Sequence, residues 1–282
     1  MTDIYVGLII VYSFSLALLL AGVKIARSSP RWVSLLLMAV ALALMFYSGR
    51  NWHDNLRLAQ ALPLSNLIVI ANVLPLEAGL MVGLAWPLIP GLWRKLLVAI
   101  PMLLICMYQA NGPLTGRPPS VGDHWRDGVC FQTTQASCGP AAAATLLQEY
   151  DIAATEAEMA DLCLTTTHGT SMLGLYRGLK LKTRGTSLDA MPFVGSLEDL
   201  QTSGAEPVLL SVGLPASGDV DPVYAQQWGW IPGVNHTVVL YRFLGKDRAE
   251  IGDPATGREV WNLSDLKVLW HGSGIYLKER GR

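Results

Sequence analysis

The sequence predicts a bundle of about four transmembrane α-helices joined to a soluble domain of mixed helices and strands. Two observations carry this. Residues 1–110 hold ten charged side chains, seven basic and three acidic, which leaves 14 basic and 19 acidic residues for the remainder. The same N-terminal part contains four apolar runs, Ile4–Val23, Trp32–Tyr47, Leu67–Ile89 and Trp93–Tyr108. A net charge of −1 therefore conceals a basic half at +4 and an acidic half at −5.

The first and third runs are long enough to cross roughly 30 Å of hydrocarbon as helices. The second and fourth are shorter and lean on Trp32, Tyr47, Trp93 and Tyr108 as interfacial anchors, with Arg94 and Lys95 snorkelling to the boundary. Asp3 stands where a signal peptide has basic residues, and no A-x-A site directly follows the first run, so a cleavable signal peptide is not expected. Lys24, Arg27 and Arg31 occupy the loop after the first run, and Arg94 and Lys95 precede the fourth. Arg50, Arg57, Arg117 and Arg126 lie on the other side. The positive-inside rule then describes a multi-pass cell-membrane protein with its soluble domain outside the cytoplasm. Glu77, close to Asn72 and Pro75 in the third run, reads either as a functional acid or as a protonated one packed inside the bundle.

Residues 109–128 are rich in Pro and Gly, which places a linker at 111–124 and a soluble domain at 125–282. Within CFQTTQASCGPAAAATLLQEYD, Ala and Leu dominate after Gly139, so a helix should start at or just before Cys138 with Pro140 in its first turn. A thiol there feels the positive end of the helix dipole, which favours thiolate. Gln132, six residues upstream, is a neutral amide donor suited to a developing oxyanion. Alone, Cys138 would read as a buried structural thiol.

A thiolate nucleophile needs a base and a group to orient it. Of the five histidines, His53 lies between apolar runs, His124 in the linker, His168 in a polar turn and His271 before the last strand. His236 opens HTVVLYRF, a β-branched apolar run with the composition of a core strand. The next run, AEIGD, ends at Asp253, which is either a plain turn-opening Asp or the residue that orients His236.

Together these residues resemble the bacteriocin-processing peptidases, papain-like cysteine proteases that cut double-glycine leader peptides. The similarity lies in Gln132, the Cys138–Gly139–Pro140–Ala141 helix start, His236 with its hydrophobic strand, Asp253–Pro254 with Gly257, and the stretch 169–185; it spans roughly residues 125–280. The resemblance implies an α/β papain-like fold, with a helical half carrying Cys138 and an antiparallel sheet carrying His236 and Asp253. It also implies peptide or protein precursors as substrates. Ser137 departs from the acidic residue common before the Cys in that family. No G-x-x-x-x-G-K-[ST] loop accompanies the domain, so nucleotide binding is not expected.

Two further expectations concern the cysteines. A helix from Cys138 to about Tyr150, then a second opened by a Thr155–Glu158 capping box, would return Cys163 to the end where Cys130 enters. A Cys130–Cys163 disulfide is then geometrically reasonable and would require an oxidising compartment. The Cys and His spacings offer no zinc site, no cofactor is implied, and no basic face interleaved with aromatics marks a nucleic-acid partner. The expected partners are a peptide substrate and the lipid bilayer. Two rival readings stay open: a membrane-tethered peptide-binding module without catalysis, and a thioester-based acyl transferase on the same residues.

Overall fold

The computed structural model describes residues 1–28, 30–48, 55–116, 119–218 and 221–281. Arg50, His53, Asp54 and Arg117 lie outside the described residues. The chain forms two compact units, Met1–Asn55 with Asn66–Thr115, and Leu56–Ser65 with Gly116–Arg282.

The chain begins with α1 (Thr2–Ser28) and α2 (Pro30–Ser48), followed by the short α3 (Leu56–Ala61). Next come α4 (Leu67–Ile70), α5 (Leu74–Ala85), α6 (Leu92–Ala110) and α7 (Gly112–Thr115). Among the described residues, three helical stretches are long and apolar enough to cross a membrane: Thr2–Ser28, Leu67–Ala85 and Leu92–Ala110. The second apolar run contributes a shorter apolar helix over Arg31–Ala43. The third stretch is broken between α4 and α5. There the Asn72 side chain accepts the Leu74 N–H, and Pro75 occupies the first turn of α5, where its missing N–H costs nothing.

The first unit is built on close contact between α1 and α5. Gly79 and Gly83 stand one turn apart on α5, and a Cβ on either would overlap the backbone at Ser15 or Leu19. From α1, Gly22 answers with a close approach to the Leu80 and Leu84 backbone. This is the small-xxx-small geometry that lets helices pack where no hydrophobic gain is available between them. Ser15 Oγ donates to the Pro75 carbonyl at 2.5 Å, in the first turn of α5.

The second unit opens with a hairpin of β1 (His124–Arg126) and β2 (Val129–Phe131). Three helices follow: α8 (Cys138–Gln148), α9 (Glu156–Leu162) and α10 (Met172–Lys182). The rest of the chain is β3 (Leu188–Val194), α11 (Leu197–Ser203), β4 (Val208–Val212), α12 (Val223–Gln226), β5 (His236–Leu244), β6 (Arg248–Asp253), β7 (Gly257–Asn262), α13 (Leu263–Leu269) and β8 (Trp270–Glu279). All but the first hairpin join one antiparallel sheet in the order β3-β8-β4-β5-β6-β7.

β5 is interior in the sheet, and its residues Thr237–Tyr241 are buried on both faces. Val238 and Leu240 join a core with α11 and α13 on one face. The other face receives α8, whose Ala141–Ala144 row is fully buried and lets the helix lie close to the strand. The domain boundary at residue 110 needs one correction. Helix α3, between the second and third apolar runs, packs against β3 and α10 and so belongs to the second unit. The predicted linker is also shorter at its end, since β1 begins at His124.

Candidate active site

Cys138 is the first residue of α8, as Pro140 and the alanine row predict, and is buried with 9% of its surface exposed. The turn leading into it is tied by Ser137. Its Oγ accepts the Thr134 N–H at 2.9 Å and donates to the Thr134 carbonyl at 3.0 Å. A hydroxyl thus closes this turn locally at the position where the resembled family has an acid. The N–H groups of a helix's first turn have no intrahelical partner, and the Cys138 N–H is among them.

His236 is the first residue of β5 and Asp253 the last of β6, two paired antiparallel strands. Their ladder sets Gly252 opposite Val239, so both side chains emerge at the same end of the sheet. His236 Nε2 donates to Asp253 Oδ1 at 2.7 Å. With Nε2 committed, Nδ1 is the nitrogen left for the thiol.

The two partners hold each other ionised. Burial pushes the Cys138 thiol up, but the hydrogen bond and charge of His236, helped by the hydroxyl and N–H of Thr237, outweigh it and leave the thiol below its ordinary range. Burial would push the imidazole down, but Asp253 and Cys138 outweigh it and raise His236 to about 10. The arrangement therefore favours a thiolate–imidazolium pair.

Gln132 follows β2, and its backbone N–H donates to the Pro254 carbonyl at 2.9 Å. Its Nε2 donates one hydrogen to the Thr134 carbonyl at 3.0 Å, leaving a second for another acceptor. Its Oε1 is buried without a partner among the described residues. A groove of about 660 Å³ is lined by Gln132, His236 and Asp253 together with Trp228, Trp230 and Trp261. The Trp230 ring lies edge-on to both His236 and Trp261, with centroids 6.0 and 5.9 Å apart.

One segment of this unit has known relatives. Residues 127–202 match the Peptidase C39 family. Over 73 residues the chain is 38% identical to an uncharacterised protein of Methanothermobacter thermautotrophicus, covering 25% of this chain and 49% of that one. It therefore spans about half the length of the curated relative it matches. Similar solved structures include a double-glycine-motif protease from an AMS/PCAT transporter in complex with its leader peptide (21% identity, 58% of this chain and 95% of that chain, TM-score 0.42). Another is the peptidase domain of Streptococcus ComA, a bifunctional ABC transporter (18% identity, 53% and 96% coverage, TM-score 0.41). The resemblance read from Cys138 and its neighbours and the family match fall on the same domain.

Within the second unit, two expectations need correction. The Cys130–Cys163 disulfide is not formed; all four cysteines are free. Cys163 turns toward Gly178 of α10, whose missing side chain makes room for the sulfur, while Cys130 is held by its N–H donating to Thr145 Oγ1. The Thr155–Glu158 capping box is half made: Thr155 accepts the Glu158 N–H, but the Glu158 carboxylate goes to Lys182 instead. His168 is exposed in the turn between α9 and α10, held by its own Thr166 and Thr167. Thr237 and the tryptophan-lined groove were missed from sequence. The Trp228–Gly229–Trp230 triplet was the available signal for the groove, and Thr237's adjacency to His236 the signal for Thr237.

Proposed function

We propose that this chain is a membrane-bound cysteine peptidase that processes peptide or protein precursors with Cys138 as nucleophile. The observation that carries the reading is the buried array in which Asp253 holds His236 and His236 depresses the Cys138 thiol. In this mechanism the thiolate attacks the scissile carbonyl carbon. The resulting oxyanion takes hydrogen bonds from the Cys138 N–H and the free Nε2 hydrogen of Gln132. Collapse breaks the C–N bond, and the His236 imidazolium protonates the departing amine, leaving an acyl thioester on Cys138. Neutral His236 then takes a proton from water, whose oxygen attacks the thioester carbon; the C–S bond breaks, the acyl group leaves as a carboxylic acid, and the thiolate–imidazolium pair is restored.

The groove shares Gln132, His236 and Asp253 with this site and supports a peptide with apolar side chains seated against Trp228, Trp230 and Trp261. The family match, together with the leader peptide bound by one similar structure, makes double-glycine precursors the first substrates to try. A transferase on the same thioester would differ only in the acceptor. Water access favours hydrolysis, because the groove is open and Trp228, Ile231 and Val234 are exposed along it.

For the membrane, the reading rests on the three long apolar helices and the shorter α2. The packing of α3 against β3 supports residues 56–65 being on the same side of the bilayer as the peptidase, with two crossings between Asn66 and Thr115. The basic residues Lys24, Arg27, Arg31, Arg94 and Lys95 on the alternate loops support that side being outside the cytoplasm. Incubating the purified full chain and its Cys138→Ala variant with a library of double-glycine peptides, and mapping new termini, tests the activity. Cleavage retained in the variant ends the reading. Protease added to intact spheroplasts tests the orientation, which is reversed if residues beyond 116 are protected.

A further inference from the structure

We infer that Glu156 is a positioning residue for the oxyanion site, acting on Gln132 through Thr133; the inference rests on the peptidase reading above. Glu156 is the first residue of α9 and its side chain is fully buried. A carboxylate in that position is costly unless its oxygens are met by donors. Both are met by a single residue: Thr133 N–H donates to Oε1 at 2.9 Å and Thr133 Oγ1 donates to Oε2 at 2.5 Å. Thr133 is the residue after Gln132. Its Oγ1 also accepts the Gly122 N–H at 2.8 Å.

The segment around Thr133 is fixed on either side by different elements. Gln132 N–H donates to Pro254, next to Asp253, and Thr134 N–H donates to Ser137, next to Cys138. Three successive amides thus anchor the segment to the acid's turn, to α9 and to the nucleophile's turn. Of these anchors Glu156 alone brings a formal charge, and charge-assisted hydrogen bonds are the shorter and stronger kind. Gln132 Nε2 is oriented by the Thr134 carbonyl, and the backbone between the two passes through Thr133. Holding Thr133 therefore sets where the second Nε2 hydrogen points. A purely structural Glu156, pinning α9 to the segment after β2, would affect the thiol and the oxyanion site alike.

Three readouts on the full chain separate these roles. Alkylation of Cys138 by iodoacetamide needs thiolate but no oxyanion. Binding of the aldehyde N-acetyl-glycyl-glycinal forms a hemithioacetal whose oxygen occupies the oxyanion position. Peptide cleavage needs both. Glu156→Gln keeps the shape and one acceptor oxygen. We expect its alkylation rate and KM to stay within about twofold of wild type, while kcat and aldehyde affinity fall roughly tenfold or more. That is a fraction of the ~10²–10³ lost when a whole oxyanion donor is removed. Thr133→Val, which deletes the hydroxyl's bonds to Glu156 and to the Gly122 N–H but keeps the Thr133 N–H bond to Glu156, should give a smaller loss of the same kind. Alkylation falling in step with kcat, or aldehyde affinity unchanged, overturns the inference. Should Glu156→Gln fail to fold, the same comparison in Thr133→Val decides. A wild-type chain that binds the aldehyde but cleaves no peptide sinks the peptidase reading, and the aldehyde affinities then judge Glu156 alone.

Discussion

Asp253 Oδ1 accepts two hydrogen bonds at once, from His236 Nε2 at 2.7 Å and from the Ala255 N–H at 2.7 Å. One oxygen therefore both opens the β6–β7 turn and orients the candidate base. The two readings of Asp253 available from sequence, turn former and orienting acid, are the same interaction seen from two sides. Asp253→Asn keeps an oxygen that can accept one of these bonds and removes the charge. Its kcat should fall by about ten- to a hundredfold, less than the ~10²–10⁴ that general acid–base catalysis supplies and that His236→Ala should forfeit. Asp253→Ala should also loosen the turn, visible as a lower Tm where Asp253→Asn is nearly silent.

The dependence on pH follows from the same array. The acid limb reports protonation of the Cys138 thiolate, whose affinity for protons is lowered, so it should lie below the ordinary thiol range. The alkaline limb reports loss of the imidazolium, with His236 raised to about 10. The kcat/KM profile should thus be a bell reaching well into the alkaline range, its limbs belonging to the pair rather than to either residue. In Asp253→Asn the imidazolium loses its carboxylate, so the alkaline limb should move to lower pH. An unmoved limb would show that Asp253 does not hold the charge.

Thiol chemistry offers a check that needs no substrate. Burial pushes Cys130 and Cys163 up to about 12, so both are neutral and shielded at pH 7. Iodoacetamide at pH 6–7, read by peptide mass spectrometry, should modify Cys138 far ahead of these two. In His236→Ala the Cys138 rate should fall at least tenfold, because burial is then opposed by Thr237 without the imidazolium.

The groove should govern affinity more than chemistry. Trp261 lines it behind Trp230, away from the His236 ring. Trp261→Ala should raise KM for peptides with a large apolar residue roughly five- to thirtyfold, on the scale of a lost buried aromatic contact, with kcat nearly unchanged. Trp230→Ala should lower kcat as well, since Trp230 is packed edge-on to His236. Equal effects on kcat in both variants would mean that Trp261 supports the site rather than binding substrate.

In the helical unit, Gly83→Ile would push a branched side chain into the Leu19 backbone. The α1–α5 pair should then separate. The Tm of the Gly83→Ile chain in detergent should fall clearly below that of wild type, and an unchanged Tm would show that these helices do not pack through their small residues.

By itself the sequence determined the features that depend on near neighbours. Pro140 and four alanines dictate a helix beginning at Cys138, because propensity and the first-turn tolerance for proline act over a few residues. The β-branched run after His236 and the Asp253–Gly257 turn likewise follow from local composition, and the apolar runs from length and charge alone. Tertiary structure decided which partner each polar group chose among several of similar chemistry. Cys163 faces Gly178 rather than Cys130, and Glu158 reaches Lys182 rather than its own helix cap. Glu156 spends both oxygens on Thr133, and α3 leaves the apolar half to pack on β3. Such choices turn on differences of a hydrogen bond or a side chain's volume between residues far apart in sequence. They are settled only when the sheet and the helices on it have fixed who is within reach.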